Sequence, residues 1–145
     1  MESGTRMYSP MNDVQEFHDT FSPEQRKDSF LGKIDRRTGL IAEEFQEVME
    51  AMEFLEDTYT GMTSYSVNDA KEELAKELAD LLYVVYGTAE ELGIPLEEVF
   101  QAVHQSNMSK VNSDGTVSRN EVGKVLKPDT YVKPDLSFIH DDRFL

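Results

Sequence analysis

Apolar residues recur at helical spacing along most of this chain and divide it into separate segments. The longest segment runs from about Asp35 to about Asp57, and a second runs from Asp69 to Leu92. In both, apolar side chains return every three or four residues, which is the period of an amphipathic helix. The stretch 58–66 between them is rich in Thr, Ser, Tyr and Gly and lacks this period. The pattern therefore predicts two long helices joined by a loop.

Shorter elements flank the two long helices. Apolar spacing over 14–21 predicts a helix with Asp13 as its N-cap. The charged segment 24–34 is consistent with either a helical turn or a loop. Pro95, followed by two glutamates, is a typical helix start, and this last helix is expected to end near Lys110.

The ends of the second long helix carry recognisable signals. Either Ser66 or Asn68 can cap its first turn, and Gly93 is suited to end it.

Beyond the last helix, Asp114-Gly115 is a turn signal, and 116–118 and 124–126 can pair as a short hairpin.

Together these elements predict an all-α fold. We expect a bundle of four to five helices, followed by an irregular extension over 112–145 that contains the hairpin. Residues 1–145 are expected to form a single domain, with 1–10 flexible. A thin core and broad apolar helix faces favour completion of this bundle by oligomerisation.

Each long helix carries two carboxylates three residues apart, Glu44 with Glu47 and Glu77 with Asp80. At about 100° per residue, apolar side chains lie within roughly 40° of Glu44, so this acid lies at the edge of the apolar face. Ionised carboxylates in such positions need a cation or a raised pKa. No Lys or Arg lies in the same arc of the first long helix, so a metal ion is favoured over a basic side chain as the required cation.

The ligand chemistry narrows the choice of metal. The chain has no cysteine, and neither acidic pair has the Glu-x-x-His pattern of di-iron bundles. Oxygen ligands alone favour Mg²⁺ or Mn²⁺, two or more ions per site, and such ions commonly serve phosphate chemistry. Basic groups that can contact phosphate are concentrated after the last helix, namely Lys110, Arg119, Lys124 and Lys127, and Asn107 lies one helical turn before Lys110.

Charge and composition restrict the partners. The chain carries 29 acidic and 14 basic residues, a formal charge of −15. This balance argues against stable binding to nucleic acid or to an anionic membrane surface. No stretch is long and apolar enough for a signal core or a membrane span. We therefore expect a cytoplasmic protein.

Several motifs of this chain resemble those of one protein family and occur in the same order. Glu43-Glu44-x-x-Glu47 with Glu77-x-x-Asp80 is similar to the signature of the all-α nucleotide pyrophosphohydrolases, the MazG-like and phosphoribosyl-ATP pyrophosphohydrolase-like (HisE-like) group. The runs 14–18 and 104–128 resemble the first helix and the C-terminal part of one branch. The interval between Glu47 and Glu77 is long for this group.

The resemblance implies a dimer or dimer of dimers that hydrolyses a nucleoside triphosphate between its α- and β-phosphates, releasing a monophosphate and pyrophosphate. It implies that the two acidic pairs bind metal and that Glu43 and Glu47 act in catalysis. Phosphate would be contacted by Asn107 and Lys110, with Lys124 and Lys127 as further candidates. The C-terminal motif is similar to a phage branch that hydrolyses dGTP, so dGTP or GTP is the expected substrate. For a phage protein, the compartment would be the host cytoplasm.

Four alternatives remain open from the sequence. The substrate could instead be phosphoribosyl-ATP or a pyrimidine deoxynucleotide. The acids could be solvated side chains of a non-catalytic helical oligomer. Residues 110–121 overlay an EF-hand calcium loop at several positions, although Lys110 stands where the first ligand is required.

Overall fold

The structure is a computed structural model that describes residues 8–140. It contains four α-helices and two 3₁₀ turns, and the described residues include no β-strand, which confirms the all-α prediction. The helices are α1 (Pro10–Phe21), α2 (Phe30–Tyr59), α3 (Val67–Glu91) and α4 (Leu96–Met108), and the turns are Pro23–Lys27 and Ser137–Ile139. Of the segment 1–10 predicted to be flexible, residues 1–7 lie outside the described residues.

Two helices begin earlier than the sequence predicted, because serine caps were overlooked. The Ser9 hydroxyl accepts a hydrogen bond from the Asn12 N–H at 3.3 Å, so Ser9 rather than Asp13 caps α1. The Ser29 hydroxyl accepts from the Gly32 N–H at 3.1 Å. This cap starts α2 at Phe30 rather than near Asp35.

The following helices agree more closely with prediction. Ser66 caps α3 in a reciprocal capping box with Asp69, in which each side chain bonds the other residue's backbone N–H. Gly93 follows the helix with φ of 69°, a left-handed conformation that favours glycine. Pro95 precedes α4 as its cap instead of forming the first helical residue.

Residue contacts divide the chain at Ile94–Pro95 into two compact units. Within the first unit, α2 packs along α3, and α1 packs against α3. Among the described residues the buried apolar core is small, consisting of Val14, Val48, Ala51, Ala70 and Ala89. The two long helices therefore hold their acidic residues on a scaffold that leaves much apolar surface exposed. The single-domain assignment of 1–145 stays a prediction.

The second unit continues from α4 into tight turns. The Asp114 carboxylate accepts from the Thr116 N–H at 2.9 Å, and Gly115 has φ of 83°, which confirms the predicted turn. The predicted pairing of 116–118 with 124–126 is present only as one antiparallel bridge between Arg119 and Val125, beside which the Leu126 N–H donates to the Ser118 carbonyl at 2.8 Å. Neither segment forms a strand, and Gly123, with φ of 82°, lies in the turn between them.

Candidate active site

The pairing of α2 with α3 brings three acids of opposite helices together. One carboxylate oxygen each from Glu44, Glu77 and Asp80 lies within 4.8 Å of the others. Glu77 and Asp80 share a face of α3 because they are three residues apart, and Glu44 faces them from α2. These three residues, called the acidic cluster below, belong to the four metal ligands predicted from the sequence.

Burial makes the acidic cluster unlike an ordinary solvated helix face. Glu77 is 5% exposed, and Glu44 and Asp80 are half-buried. Among the described residues, Glu44 Oε2 and Glu77 Oε2 are buried oxygens without a hydrogen-bond partner. Unpaired buried carboxylate oxygens are costly, so a cation fits the space that they face. Since all donors are carboxylate oxygens, a hard divalent cation matches them best.

A lysine contributes the one positive charge seen at this cluster in residues 8–140. Lys76 Nζ lies 3.0 Å from Glu77 Oε1 and 3.1 Å from Asp80 Oδ2. The hydrogen bond to Glu77 and then that to Asp80 hold the pKa of Lys76 well above its usual value. The Lys76 side chain is 61% exposed, so it can swing away without unfolding the helix. Lys76 therefore competes with any metal ion for these two acids.

Two predicted catalytic residues lie beside the cluster rather than within it. Glu47 is half-buried, and its desolvation, followed by the charge of Glu44, raises its pKa. The hydrogen bond from Lys76 instead lowers the pKa of Glu77. Glu43 is exposed on α2. The roles proposed for Glu43 and Glu47 stay predictions.

The predicted phosphate contacts all lie in the second compact unit. Lys110 Nζ donates to Asn107 Oδ1 at 2.8 Å, which confines both side chains at the end of α4. Lys127 Nζ lies 4.8 Å from the centre of the Tyr131 ring. A hydrogen bond to Ser106, with nearby Lys127, Lys110 and Lys133, lowers the pKa of Tyr131. Tyr131 and Lys133 were missed from the sequence, because only the folded turns bring them near the other lysines.

The sequence also missed an ion-pair network that ties the first three helices together. His18 Nδ1 on α1 lies 2.7 Å from Glu90 Oε2 on α3. Arg37 on α2 donates from Nε to Glu91 on α3, and its Nη2 lies 2.8 Å from His18 Nε2. Arginine can only donate, so His18 Nε2 is the acceptor and its Nδ1–H donates to Glu90. This arrangement selects one orientation of the imidazole, with each ring nitrogen bonded to a different helix.

A second arginine extends the network along the same helices. Arg36 donates from Nη1 to Glu91 at 2.7 Å and from Nη2 to Asp28 at 2.7 Å. Burial raises the pKa of Glu91, but the hydrogen bonds from Arg37 and Arg36 outweigh it, so the pKa of Glu91 is lowered. The two adjacent arginines, in a helix with many acidic residues, were the sequence feature from which this ion-pair network could have been predicted.

The loop considered for calcium is organised by its own hydrogen bonds. The Asn112 amide donates to the hydroxyls of Thr116 at 2.9 Å and Ser118 at 3.0 Å. Asp114 Oδ1 accepts from the Thr116 hydroxyl at 2.6 Å. Several groups that would face a calcium ion are therefore engaged in the turn.

Comparisons with known proteins give one match. The model of the family described as phosphoribosyl-ATP pyrophosphohydrolase matches residues 14–107, which include α2, α3 and all three acids of the cluster. No curated protein sequence matches the chain. Among the described residues, no helix combines the length and apolar character needed to cross a bilayer.

Proposed function

The chain belongs to the phosphoribosyl-ATP pyrophosphohydrolase family, and from that premise we propose that it hydrolyses a nucleoside triphosphate between the α- and β-phosphates. Family membership makes it a nucleotide pyrophosphohydrolase, a hydrolase acting on acid anhydrides. It also argues against a non-catalytic helical oligomer, because the family is enzymatic. The family generally depends on a divalent metal. The substrate, the ion and the residue roles given below are the proposal.

The observation that carries the proposal is the pair of buried, unpartnered oxygens of Glu44 and Glu77 within the acidic cluster. Glu44, Glu77 and Asp80 would hold Mg²⁺ or Mn²⁺, with Glu47 beside them as a fourth ligand. Such ions bridge phosphate oxygens and lower the pKa of a bound water. The chemistry of these donors therefore suits a polyphosphate substrate.

The chain's other residues would orient the reaction. Glu43 or Glu47 directs the attacking water toward the α-phosphorus, and pyrophosphate departs with the bonding electrons of the cleaved P–O bond. Asn107 and Lys110 would contact phosphate, and Lys124 and Lys127 are the further candidates. The positive charge of the lysines would offset the charge that develops on the leaving group.

We infer dGTP or GTP as the preferred substrate because the C-terminal motif is similar to that of the phage branch acting on dGTP. Phosphoribosyl-ATP, the substrate in the family's description, is the second candidate. Both are purine nucleotides that carry a triphosphate, so both would present the same α–β anhydride to the same acidic residues. The compartment in which this chemistry occurs is expected to be the cytoplasm.

A second copy of the chain would cover apolar surface that α2 and α3 leave exposed. α2 and α3 expose an apolar groove of about 830 Å³ in the first compact unit. Met49, Met52 and Leu78 line it and are 50%, 50% and 45% exposed. Exposed side chains of this size in a continuous groove mark a protein interface more often than a free surface. We therefore propose a homo-oligomer built on this face.

The proposal is tested with a panel of ribo- and deoxynucleoside triphosphates and phosphoribosyl-ATP, each with Mg²⁺ or Mn²⁺. Pyrophosphate and orthophosphate are assayed separately. We expect pyrophosphate release with one preferred base. Orthophosphate as the direct product would reject cleavage between the α- and β-phosphates.

Variants connect that activity to the acidic cluster. Glu44→Gln and Asp80→Asn should each lower pyrophosphate release by about 100-fold or more, since loss of even an outer partner of a metal ligand costs 10- to 100-fold. Glu72→Gln, an exposed acid of α3, is the matched control and should retain activity. Equal activity in all three variants would contradict the assigned site.

A further inference from the structure

A pocket of about 400 Å³ opens directly beside the acidic cluster, and Glu44 and Asp80 form part of its wall. The remaining wall comes from α1, the 3₁₀ turn Pro23–Lys27 and the facing sides of α2 and α3. This volume lies in the range of small-molecule sites. A molecule held at the acidic cluster therefore has this pocket within immediate reach.

The pocket is not built for phosphate. Arg36 and Arg37 line it, yet both guanidinium groups are already engaged. Arg36 bonds Glu91 and Asp28, and Arg37 bonds Glu91 and His18. A phosphate entering here would have to break contacts to Glu91 and His18, which are both buried, at considerable cost. The part of a nucleotide that fits is therefore its uncharged part.

Two aromatic rings offer a surface for a flat heterocycle. Phe17 on α1 and Tyr83 on α3 both line the pocket. Their ring centres lie 5.5 Å apart in an edge-to-face arrangement, and the two residues are 42% and 40% exposed. Exposed ring surface beside a binding cleft stacks on nucleobases without distinguishing one base from another.

The group able to distinguish bases is Gln25. It is half-buried in the 3₁₀ turn and lines the same pocket. Its side-chain amide makes no hydrogen bond to another of the residues 8–140. An amide presents one acceptor and two donors side by side, which matches the adjacent donor and acceptor on the pairing edge of a base.

We propose that this pocket is the nucleobase subsite and that Gln25 is its specificity-determining residue. The inference rests on the proposed function, because it takes the triphosphate to lie at the acidic cluster. The base stacks against Phe17 or Tyr83, and the Gln25 amide pairs with its edge. The phosphates remain on the side of Glu44 and Asp80.

The test compares Gln25→Ala and Gln25→Glu with the wild type on GTP and ATP. Gln25→Ala should raise KM for the preferred nucleotide about threefold or more, the worth of a lost hydrogen bond, with kcat changed less than twofold. A carboxylate only accepts, so Gln25→Glu should favour guanine, whose N1–H and N2–H₂ are both donors. The ratio of kcat/KM for GTP over ATP should therefore rise about tenfold.

Gln15→Glu supplies the matched control, since Gln15 is exposed on α1 and does not line the pocket. It introduces the same charge and should leave the GTP/ATP ratio unchanged. If both Gln25 variants fold, as judged by their melting temperatures, and keep the wild-type KM and ratio, the base subsite is refuted. If the wild type releases no pyrophosphate from any nucleotide, the proposed function fails instead.

A binding measurement keeps the inference testable without turnover. In ¹⁵N-resolved NMR spectra, titration with GMP and with AMP should shift the Gln25 side-chain amide resonances, which are assigned by their loss in Gln25→Ala. Shifts at Gln25 with at least one of the two nucleotides support the subsite. Shifts confined to residues outside the pocket would overturn it.

Discussion

Two buried carboxylate oxygens, Glu44 Oε2 and Glu77 Oε2, dominate the chemistry at the scale of single residues. An ionised group without a partner in such a place is tolerated only when its charge is neutralised or its proton retained. Lys76 neutralises part of that charge from one side. Whether Lys76 is paired with Glu77 and Asp80 therefore affects how tightly the cluster holds a divalent cation.

The first prediction concerns this competition. Lys76→Gln should tighten Mg²⁺ or Mn²⁺ binding severalfold, because the cation no longer has to displace an ammonium from Glu77 and Asp80. Isothermal titration of the metal into nucleotide-free protein measures the affinity directly.

Lys71→Gln separates local competition from the change in net charge. Lys71 is an exposed lysine of α3 and is not among the partners of the acidic cluster. Its loss removes the same unit of charge, so it should alter metal affinity much less. Equal effects of the two substitutions would contradict the assigned competition.

For single residues, the sequence predicted the acids of the cluster but not all of the residues that lie beside them. The helical wheel located Glu44 and Glu77 on the edges of apolar faces, since that placement depends only on helical period. Lys76 was missed because the search for cations covered only the arc of the first helix. Gln25 belongs to no local sequence motif, and its position in a pocket depends on the packing of α1, α2 and α3.

At the scale of elements, Gly87 permits the close packing of α1 and α2 on α3. A Cβ built there would lie 2.7 Å from Arg37 Nη1 and 3.2 Å from His18 Nε2. Arg37 is 4% exposed and hydrogen-bonded on two sides, so its guanidinium has little freedom to move away. The glycine is therefore required by a close approach rather than by its own φ.

The second prediction is a pair of glycine substitutions with opposite signs. Gly87→Ala should destabilise the fold by about 1–3 kcal/mol through overpacking against Arg37. Gly39→Ala, where nothing lies within 4 Å of the added Cβ, should stabilise α2 by about 0.5–1 kcal/mol. Urea unfolding of both variants measures the difference. Stabilisation by both substitutions would contradict the close contact at Gly87.

The third prediction concerns acid stability through Glu91. The pKa of Glu91 is lowered in the folded chain, so its ionised form stabilises the fold above the unfolded pKa of about 4.3. This stabilisation is lost as pH falls below that value toward the folded pKa. Glu91→Gln should cost about 3 kcal/mol at neutral pH by leaving Arg36 and Arg37 without their shared partner.

The pH dependence distinguishes ionisation from simple packing. The free energy of unfolding of Glu91→Gln should vary less than that of the wild type between pH 5 and 3, because one of the linked protons is gone. Glu72→Gln, at an exposed position, should follow the wild-type curve. A Glu91→Gln curve parallel to that of the wild type would contradict the lowered pKa.

The helices themselves were predictable from period and composition, while several of their starts were not. The apolar repeat correctly identified all four helices of residues 8–140, even α1, for which the predicted repeat over 14–21 spans only about two turns. The starts of α1 and α2 were set by single hydroxyl contacts of Ser9 and Ser29. The pairing expected after residue 115 is reduced to a single antiparallel bridge, since an isolated two-stranded hairpin is at best marginally stable.

At the scale of the whole molecule, the described residues leave large apolar side chains in contact with water. Phe45 and Leu82, for example, are 53% and 56% exposed on the two long helices. The buried apolar residues of the described part are two valines and three alanines, so these residues bury little apolar area for their number in a lone copy. The sequence predicted this deficit from its broad apolar faces, but it could not specify which face a partner covers.

The fourth prediction tests the α2–α3 groove as the contact between copies. Met52→Glu should shift the protein toward monomer, because an unpaired charge would be buried at the interface. Light scattering coupled to size exclusion over a range of concentrations measures the molar mass. Met62→Glu, at a 77% exposed loop position outside the groove, should leave the mass unchanged. Identical masses for the wild type and both variants would exclude this face.

Hydrolysis in ¹⁸O-labelled water tests the central claim most directly, since it reports both the bond cleaved and the atom attacked. With dGTP and Mg²⁺, we predict that the wild type yields dGMP carrying one ¹⁸O and unlabelled pyrophosphate, and that Glu44→Gln yields almost none of either. Labelled pyrophosphate with unlabelled dGMP would contradict attack on the α-phosphorus. Orthophosphate as the first product would contradict the α–β cleavage altogether.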